Sequence, residues 1–340
     1  MDRNKKSRIY LIVLVVAIFV VYTYRQNQPQ EITVRGTTMG TIAYNIKYLD
    51  KDKRSFKRQI DSLLVDFNQS LSTYIPNSDI SMFNKKGAAN FNYPYFYDVL
   101  KASKEIYNET DGAFDPTVGP LIDAWGFGDG ELIGPDSLQV DSLLQYVGFD
   151  KITFDSKGVS SARQGMKLNF SAIAKGQAID VVGDWLSSQG IENYMVEIGG
   201  EVRTMGKNLN KELWVIGIET PDESRVGGLF DAIQLENQGM ATSGNYRNYR
   251  IIDGQKVAHT IDPKSGFPKM QTLLSATVLA PNCMYADAFA TACMVLGLES
   301  SKALIANDPD LEAYFIYVNE AGEIDAYISS GLKEKTLGED

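Results

Sequence analysis

The sequence predicts an α+β fold, because strand-like segments outnumber helical ones and the two kinds do not alternate as regular βαβ units. No internal repeat and no linker rich in Pro, Gly or Ser divides the chain after residue 28. With 44% apolar and 11% aromatic residues, the 340-residue chain can bury a sizeable core. We therefore expect one domain over residues 29–340, behind an N-terminal segment of residues 1–28.

The N-terminal segment is typical of a membrane anchor. Met1–Arg8 is basic, and Ile9–Tyr24 runs for 16 residues without a charge. That is short for a membrane span and long for the apolar part of a signal peptide, and neither an A-x-A cleavage site nor a lipobox cysteine follows it. The basic flank favours a cytoplasmic N-terminus. We expect an anchor in the cytoplasmic membrane with the body on the extracytoplasmic (periplasmic) side; a cleaved signal and a buried core helix are the alternatives.

The first half of the body carries one strand signal and three helical ones. Ile32–Tyr48 contains the alternating stretch TIAYNIKY, which favours a strand. In Ser55–Ser72, apolar residues recur at i, i+3, i+4 and i+7 from Ile60, which indicates an amphipathic helix. Helices are also predicted at Tyr93–Thr110 and Asp136–Val147.

The second half opens with the strongest helical pattern. Ala174–Gln189 places its apolar residues on one face, and Gly190 follows as a stop signal. The remaining predictions, in chain order, are strands at Tyr194–Ile198, Leu213–Glu219, Ala232–Glu236, Tyr249–Ile252 and Ser275–Leu279, a helix at Ala286–Leu296, and a hairpin-like pair at Ala313–Val318 and Ile324–Ser329.

Composition excludes several kinds of site. One histidine excludes HExxH zinc sites, three-histidine zinc centres and facial-triad iron. Two cysteines, Cys283 and Cys293, exclude four-cysteine zinc sites and a disulfide-rich scaffold. After residue 28 the chain holds 28 basic and 42 acidic residues, a net charge of −14. Such a body is poorly suited to nucleic acid, and a bound polyphosphate would need a metal cation or backbone N–H groups to offset the repulsion.

Three short segments are rich in Gly, Asp, Thr or Pro where a plain core would be apolar. Thr37–Thr41 suits close approach of the backbone to a ligand, although a β-turn is the commoner explanation. Asp111–Leu121, running into Trp125–Gly128, favours either a flat surface for a planar ring or a buried aromatic corner. Leu168–Gly176 opens the strongest helix, whose N–H groups and Lys175 could cradle a phosphate, although the P-loop spacing is absent.

A fourth segment contains the histidine. Ala241–Tyr246 is followed by His259–Gly266, in which His259 lies three residues before Asp262. A lone histidine is more often structural, but one in a polar loop beside an aspartate suits proton transfer or ligand contact. A Ser-His-Asp hydrolase is conceivable from these residues, but no GxSxG elbow is present.

The fifth segment, Tyr285–Thr291, supplies two oxygen donors. Asp287 and Thr291 stand at i and i+4, so both project from one helical face. Hard oxygen donors suit Mg²⁺, which keeps several waters and relies on substrate phosphates for further ligands. The alternative is that Asp287 only complements the helix dipole.

Together and in this order, the five segments resemble the ApbE family of FAD:protein FMN transferases. The matching stretches are TTMGT, DGAFDPTVGPLIDAWGFG, IAKGQAID with VEIGGEVRTMGKN, ATSGNYRNY followed by HTIDPKSGFP, and ADAFATACMVLG, which span about residues 32–330. The resemblance implies a T-fold-like α+β catalytic unit that binds FAD and Mg²⁺. It further implies that the FAD pyrophosphate is split, that FMN is linked through its phosphate to a Thr hydroxyl of a target protein, and that AMP is released.

The resemblance also implies partners and alternatives. Targets in the family are extracytoplasmic flavoprotein subunits of membrane redox complexes, such as the Na⁺-translocating NADH:quinone reductase (Nqr) and its Rnf relatives. Some members instead hydrolyse FAD to FMN and AMP. An Mg²⁺-dependent FAD pyrophosphatase and a non-catalytic FAD-binding protein are therefore the alternatives.

Site residues follow from the resemblance, position by position. The FAD contacts correspond to Met39, Tyr74, Ala113, Phe114, Asp115, Asn169, Lys175 and Ile261. The metal ligands correspond to Asp287, Thr291 and the backbone carbonyl of Ala172. His259 falls on the family's recurrent histidine, and either it or Asp262 is expected to contact the nucleotide or to accept the proton of the target hydroxyl. Many members have Asp-Leu-Gly at Asn169–Ser171, so the nucleotide contact at Asn169 should differ in detail.

Overall fold

The computed structural model describes residues 10–19, 28–128, 134, 136–221, 228–244, 249–252, 255–269 and 271–338. Residues 10–19 form helix α1, and its large apolar side chains are all more than half exposed. The alternative of a buried core helix here is therefore wrong. In the described part of the chain no helix has both the length and the apolar character that a membrane crossing requires. Residues 9 and 20–24 of the predicted anchor lie outside the described residues.

Helices and strands occupy most of the body. The helices are α2 (Lys57–Leu71), α3 (Asp79–Lys86), α4 (Tyr95–Glu109), α5 (Gly119–Ala124), α6 (Ser137–Leu144), α7 (Ala174–Ser188), α8 (Cys283–Leu296) and α9 (Leu298–Asn307). The strands are β1 (Gln30–Thr38), β2 (Ile42–Asp50), β3 (Ala88–Asn90), β4 (Ile152–Phe154), β5 (Gly158–Ser161), β6 (Tyr194–Ile198), β7 (Glu201–Met205), β8 (Trp214–Glu219), β9 (Leu229–Leu235), β10 (Gly239–Gly244), β11 (Tyr249–Ile252), β12 (Gln255–Ala258), β13 (Leu273–Ala280), β14 (Glu312–Val318) and β15 (Ile324–Ile328).

An eight-stranded sheet organises the fold. Its strands lie in the order β1-β2-β6-β7-β10-β13-β14-β15, and each neighbouring pair is antiparallel. A wholly antiparallel sheet with helices packed beside it is an α+β arrangement, which confirms the predicted class. Smaller sheets are formed by β8 with β9, by β11 with β12, and by β3, β5 and β4.

Side chains of the main sheet alternate between two cores, as the pleat of a strand requires. On β6, Tyr194, Val196 and Ile198 enter the larger core, which α2, α7 and α8 cover. On the opposite face, Leu279 and Ile316 pack in a second core with residues of the β8–β9 hairpin. The sheet is therefore covered by helices on one face and by a hairpin on the other.

Helices α7 and α8 approach each other closely because Gly176 lies between them. A Cβ at position 176 would stand 2.2 Å from the carbonyl oxygen of Cys283. The carboxylate of Asp180 fixes the same contact by accepting hydrogen bonds from the backbone N–H groups of Cys283, at 3.0 Å, and Met284, at 2.8 Å. This packing brings the N-terminal turn of α7 against the side chains of α8.

The structure resolves the β1–β2 turn and the state of the two cysteines. The strand signal in Ile32–Tyr48 corresponds to two strands, because Met39 and Gly40 take positive φ angles of 48° and 87° and reverse the chain between β1 and β2, which confirms the β-turn alternative for Thr37–Thr41. Cys283 and Cys293 are buried free thiols. They lie ten residues apart on α8, about 15 Å along the axis, which is too far for a disulfide.

Candidate active site

A cavity of about 1460 Å³ opens beside the β1–β2 turn, the start of α7, strand β10 and helix α8. All five of the segments chosen from the sequence contribute to its lining. The expected site residues that line it are Met39, Tyr74, Ala113, Phe114, Asp115, Asn169, Ala172, Lys175, His259, Ile261, Asp287 and Thr291. Asp262 is the one member of that set absent from the lining. Asn245 and Tyr246, at the end of the fourth segment, lie outside the described residues.

A lysine between two carboxylates lines the cavity at the start of α7. The ammonium of Lys175 lies 3.3 Å from Oε1 of Glu201 and 3.8 Å from Oδ1 of Asp287. The other oxygen of Asp287 accepts a hydrogen bond from the backbone N–H of Gly176 at 3.1 Å. Asp287 and Glu201 are only 3% and 5% exposed, so the three charged groups interact with little screening by water.

Burial changes the proton affinity of all three groups. It raises the pKa of Asp287 above its ordinary value, although Lys175 and the Gly176 N–H act in the opposite direction. It likewise raises the pKa of Glu201, to about 7, against the opposing effect of Lys175. Burial alone would lower the pKa of Lys175, but the carboxylates of Asp287 and Glu201 raise it above its usual range. Lys175 is therefore a firmly protonated cation at the base of the cavity.

The predicted pair of oxygen donors shares one helical face, as the i, i+4 spacing indicated. Thr291 follows Asp287 by one turn of α8, and its hydroxyl lies 3.1 Å from the hydroxyl of Ser243 on β10. Ala172 lines the same cavity two residues before α7 begins. Asp287, Thr291 and Ala172 thus line one cavity.

The charge of the lining fits a divalent cation. Among the described residues, six carboxylate side chains line the cavity against three lysines (Asp115, Asp123, Glu197, Glu201, Glu219 and Asp287; Lys85, Lys167 and Lys175). No group of three His, Cys, Asp or Glu side chains suited to a metal occurs within the described ranges. A cation held by Asp287, Thr291 and the Ala172 carbonyl would therefore need phosphate or water oxygens to complete its coordination shell. Mg²⁺ is commonly coordinated in this way in proteins.

His259 and Asp262 are close in sequence but have different positions relative to the cavity. His259 lines the cavity, and its ring lies 6.4 Å from the ring of Phe127 in an edge-to-face arrangement. The carboxylate of Asp262 instead accepts the backbone N–H of Lys264 at 2.9 Å and stabilises the turn at Pro263–Gly266. His259 therefore belongs to the cavity lining and Asp262 does not, while the catalytic role expected of either residue stays a prediction.

Among the expected FAD contacts, the Tyr74 ring is exposed, whereas the polar side chains of Asp115 and Asn169 are already hydrogen-bonded within the protein. Tyr74 is 76% exposed at the edge of the cavity, where its ring is accessible. The carboxylate of Asp115 is occupied inside the protein, since it accepts hydrogen bonds from the backbone N–H of Thr117 at 2.8 Å and from its hydroxyl at 2.6 Å. The side-chain oxygen of Asn169 likewise accepts a hydrogen bond from the backbone N–H of Ser171 at 2.9 Å.

The structure bears on two further sequence hypotheses, the phosphate cradle at the start of α7 and the role of Trp125. The N–H groups at the start of α7 do not form an open phosphate cradle, because those of Ala174 and Gln177 bond to the carbonyls of Phe170 and Ile173 and that of Gly176 bonds to Asp287. Trp125 belongs to a buried aromatic corner, where its indole N–H donates to the carbonyl of Gly266 at 2.9 Å. Lys175 is thus the cationic group that the start of α7 presents to the cavity.

Sequence reasoning gave no role to Glu197 and Glu201. Both line the cavity from either side of the β6–β7 turn. The signal that could have found Glu201 is the Gly199–Gly200 pair, which is typical of a two-residue hairpin turn and places Glu201 opposite Ile198.

Comparison with known proteins places the chain among flavin transferases. The model of the ApbE family matches residues 39–315. The FAD:protein FMN transferase of Haemophilus influenzae is 37% identical over 339 residues, which cover 95% of this chain and 97% of the relative. The solved flavin transferase ApbE of Vibrio cholerae is 34% identical with a TM-score of 0.81, covering 90% of this chain and 99% of that one. The apo flavinyl transferase ApbE of Pseudomonas stutzeri is 31% identical with a TM-score of 0.79, covering 91% and 97%. This chain therefore belongs to the ApbE family.

Proposed function

We propose that this protein is a FAD:protein FMN transferase that moves FMN from FAD to a Thr hydroxyl of a target flavoprotein and releases AMP. The observation that carries the proposal is the convergence of Lys175, His259, Asp287 and Thr291 on one cavity. At about 1460 Å³ that cavity exceeds the size of ordinary small-molecule sites, so it has room for a dinucleotide and a segment of a target protein.

The chain's own residues account for binding and proton transfer. Lys175 supplies a fixed positive charge for the pyrophosphate, and Tyr74 and Phe127 supply ring surface. His259 accepts the proton as the Thr oxygen forms its bond to the FMN phosphorus. In the same step the bond between that phosphorus and the bridging pyrophosphate oxygen breaks, and the oxygen leaves with AMP. The balance is FAD and a Thr hydroxyl giving phosphoester-linked FMN, AMP and one proton.

Asp287, Thr291 and the Ala172 carbonyl would hold Mg²⁺. The cation supplies charge neutralisation for the pyrophosphate and the leaving AMP. Support comes from the surplus of carboxylates in the cavity lining, which would otherwise repel an anion with only three lysines to offset it.

Hydrolysis of FAD is the second candidate, because water can attack the FMN phosphorus in the same way as the oxygen of a Thr hydroxyl. Incubation of the protein with FAD, Mg²⁺ and an Nqr- or Rnf-type flavoprotein domain separates the possibilities. Fluorescence that stays with the target after denaturation supports transfer, together with AMP in equal amount. FMN and AMP without labelled target support the pyrophosphatase, and unchanged FAD supports a non-catalytic FAD-binding protein.

We also propose that residues 9–24 anchor the protein in the cytoplasmic membrane and that its body works on the extracytoplasmic side. The support is the uncharged apolar run, its basic flank and the exposure of the apolar side chains of residues 10–19. Fusion of a reporter that is active only in the periplasm to the C-terminus tests this. An active reporter in the membrane fraction is expected, and an inactive reporter, or activity only in the soluble fraction, would contradict the anchor.

A further inference from the structure

Glu201 is a buried carboxylate of the cavity whose role the proposed reaction does not explain. It begins β7 directly after Gly199 and Gly200, whose φ angles of +67° and +108° let the chain reverse within two residues. This turn places Glu201 opposite Ile198 and directs it into the cavity next to Lys175. The side chain is 5% exposed, so its position is determined by the protein groups packed around it.

Lys175 is shared unequally between its two carboxylates. Its ammonium lies within hydrogen-bond distance of Glu201, at 3.3 Å, and farther from Asp287, at 3.8 Å. Oε2 of Glu201 is buried and has no hydrogen-bond partner among the described residues. Lys175 is therefore the main charged group that stabilises the Glu201 carboxylate, and exclusion of water strengthens the attraction between the two charges.

We propose that Glu201 is a positioning residue that holds the Lys175 ammonium and so keeps the Asp287 carboxylate available to a divalent cation. The inference rests on the proposed function, which supplies the cation. Without the charge of Glu201, Asp287 is the remaining carboxylate recorded within 4.0 Å of the ammonium in the described part of the chain. A buried ammonium and carboxylate then pair directly, and a metal must displace that ammonium before it can bind.

Direct metal binding tests the inference without relying on turnover. Mn²⁺, a paramagnetic substitute for Mg²⁺, is titrated into the full-length protein, and free Mn²⁺ is measured by electron paramagnetic resonance with ADP present as the pyrophosphate. We expect Glu201→Gln to weaken Mn²⁺ binding at least tenfold, and Glu201→Asp, which keeps the charge, to recover part of the loss. Thermal unfolding of each variant shows whether it is folded.

Glu197→Gln is the matched control for loss of one negative charge from the cavity. Glu197 is half-buried on the other side of the same turn and accepts the N–H of Gly200 at 3.1 Å. Its substitution should change Mn²⁺ affinity less than threefold. A loss equal to that of Glu201→Gln would show that only the summed charge matters and would overturn the proposal.

A double substitution asks whether Glu201 acts through Lys175. In a Lys175→Met background no ammonium can close on Asp287, so adding Glu201→Gln should leave Mn²⁺ affinity within about twofold. A tenfold loss in that background would mean that Glu201 binds the cation itself, which contradicts a positioning role.

Asp287→Ala distinguishes an error in the proposed metal site from an error in the role proposed for Glu201. If it binds Mn²⁺ as the wild type does, the metal site of the proposed function is wrong; if it alone loses Mn²⁺ while Glu201→Gln does not, only this inference fails.

Discussion

Replacement of Gly176 by alanine should damage both the packing of α7 against α8 and the active site. The new Cβ would stand 2.2 Å from the carbonyl oxygen of Cys283, about 1.2 Å closer than an ordinary contact, so the helices must separate by roughly that distance. Overpacking of this kind costs about 1–3 kcal/mol. The same movement stretches the 3.1 Å hydrogen bond from the Gly176 N–H to Asp287, and loss of such a bond to a charged group costs about 1.5–3 kcal/mol.

The higher helix propensity of alanine offsets about 1 kcal/mol of this, which leaves a net loss of roughly 1.5–5 kcal/mol. Denaturant unfolding, with FMN transfer measured on the folded protein, checks this. Gly183→Ala is the control on the same helix, because its Cβ would meet the Tyr194 hydroxyl oxygen at 3.1 Å, a contact that small side-chain shifts can relieve. We expect Gly183→Ala to change stability by no more than about 1 kcal/mol. Wild-type stability and activity in Gly176→Ala would refute the close-packing argument.

Three further predictions concern other residues. His259→Ala should lower the rate of FMN transfer by about 10²–10⁴-fold while FAD affinity, measured by fluorescence quenching, stays near that of the wild type; full transfer would exclude proton transfer by His259. Burial raises the pKa of Asp115 to about 6, above its value in the unfolded chain, so its contribution to stability declines as the pH rises from about 4 to about 6. Asp115→Asn should therefore gain about 1–3 kcal/mol relative to the wild type over that range, and a pH-independent difference between the two unfolding curves would be inconsistent with this. Cys283 and Cys293 should react with a thiol reagent only after unfolding, as two free thiols per chain; resistance of the denatured protein to the reagent would indicate a disulfide.

Elements with strong periodicity could be predicted from the sequence. The helix predicted at Ala174–Gln189 is found at Ala174–Ser188, and the strand predicted at Tyr194–Ile198 has the same bounds in the structure. In both, local pattern and tertiary packing favour the same conformation.

Elements that form only because they pair with a distant strand could not be predicted from the sequence. Strand β10 (GMATSG) has Thr242 as its single β-branched residue and carries a Gly at each end, and it is a strand because it pairs along its length with β13. The turn at Met39 and Gly40, by contrast, was the commoner explanation of the Thr37–Thr41 segment, because Gly tolerates the positive φ that a tight turn requires.

The site was predictable to the level of residue types but not of contacts. The i, i+4 spacing placed Asp287 and Thr291 on one face, and the structure has them there. The pairing of Lys175 with Glu201 depends on a turn 25 residues later in the chain, which spacing does not reveal. Asp262 was chosen for its proximity to His259 in sequence, yet the Pro263–Gly266 turn uses its carboxylate.

Intact mass measurement of a target flavoprotein domain, after incubation with FAD, Mg²⁺ and the full-length protein, tests the proposed activity most directly. The target should gain the mass of FMN minus water, and the gain should vanish when its acceptor Thr is replaced by Val or when Asp287 of the enzyme is replaced by Ala. A target of unchanged mass in the presence of released FMN and AMP would contradict transfer. A full mass gain with Asp287→Ala would contradict the metal-assisted site.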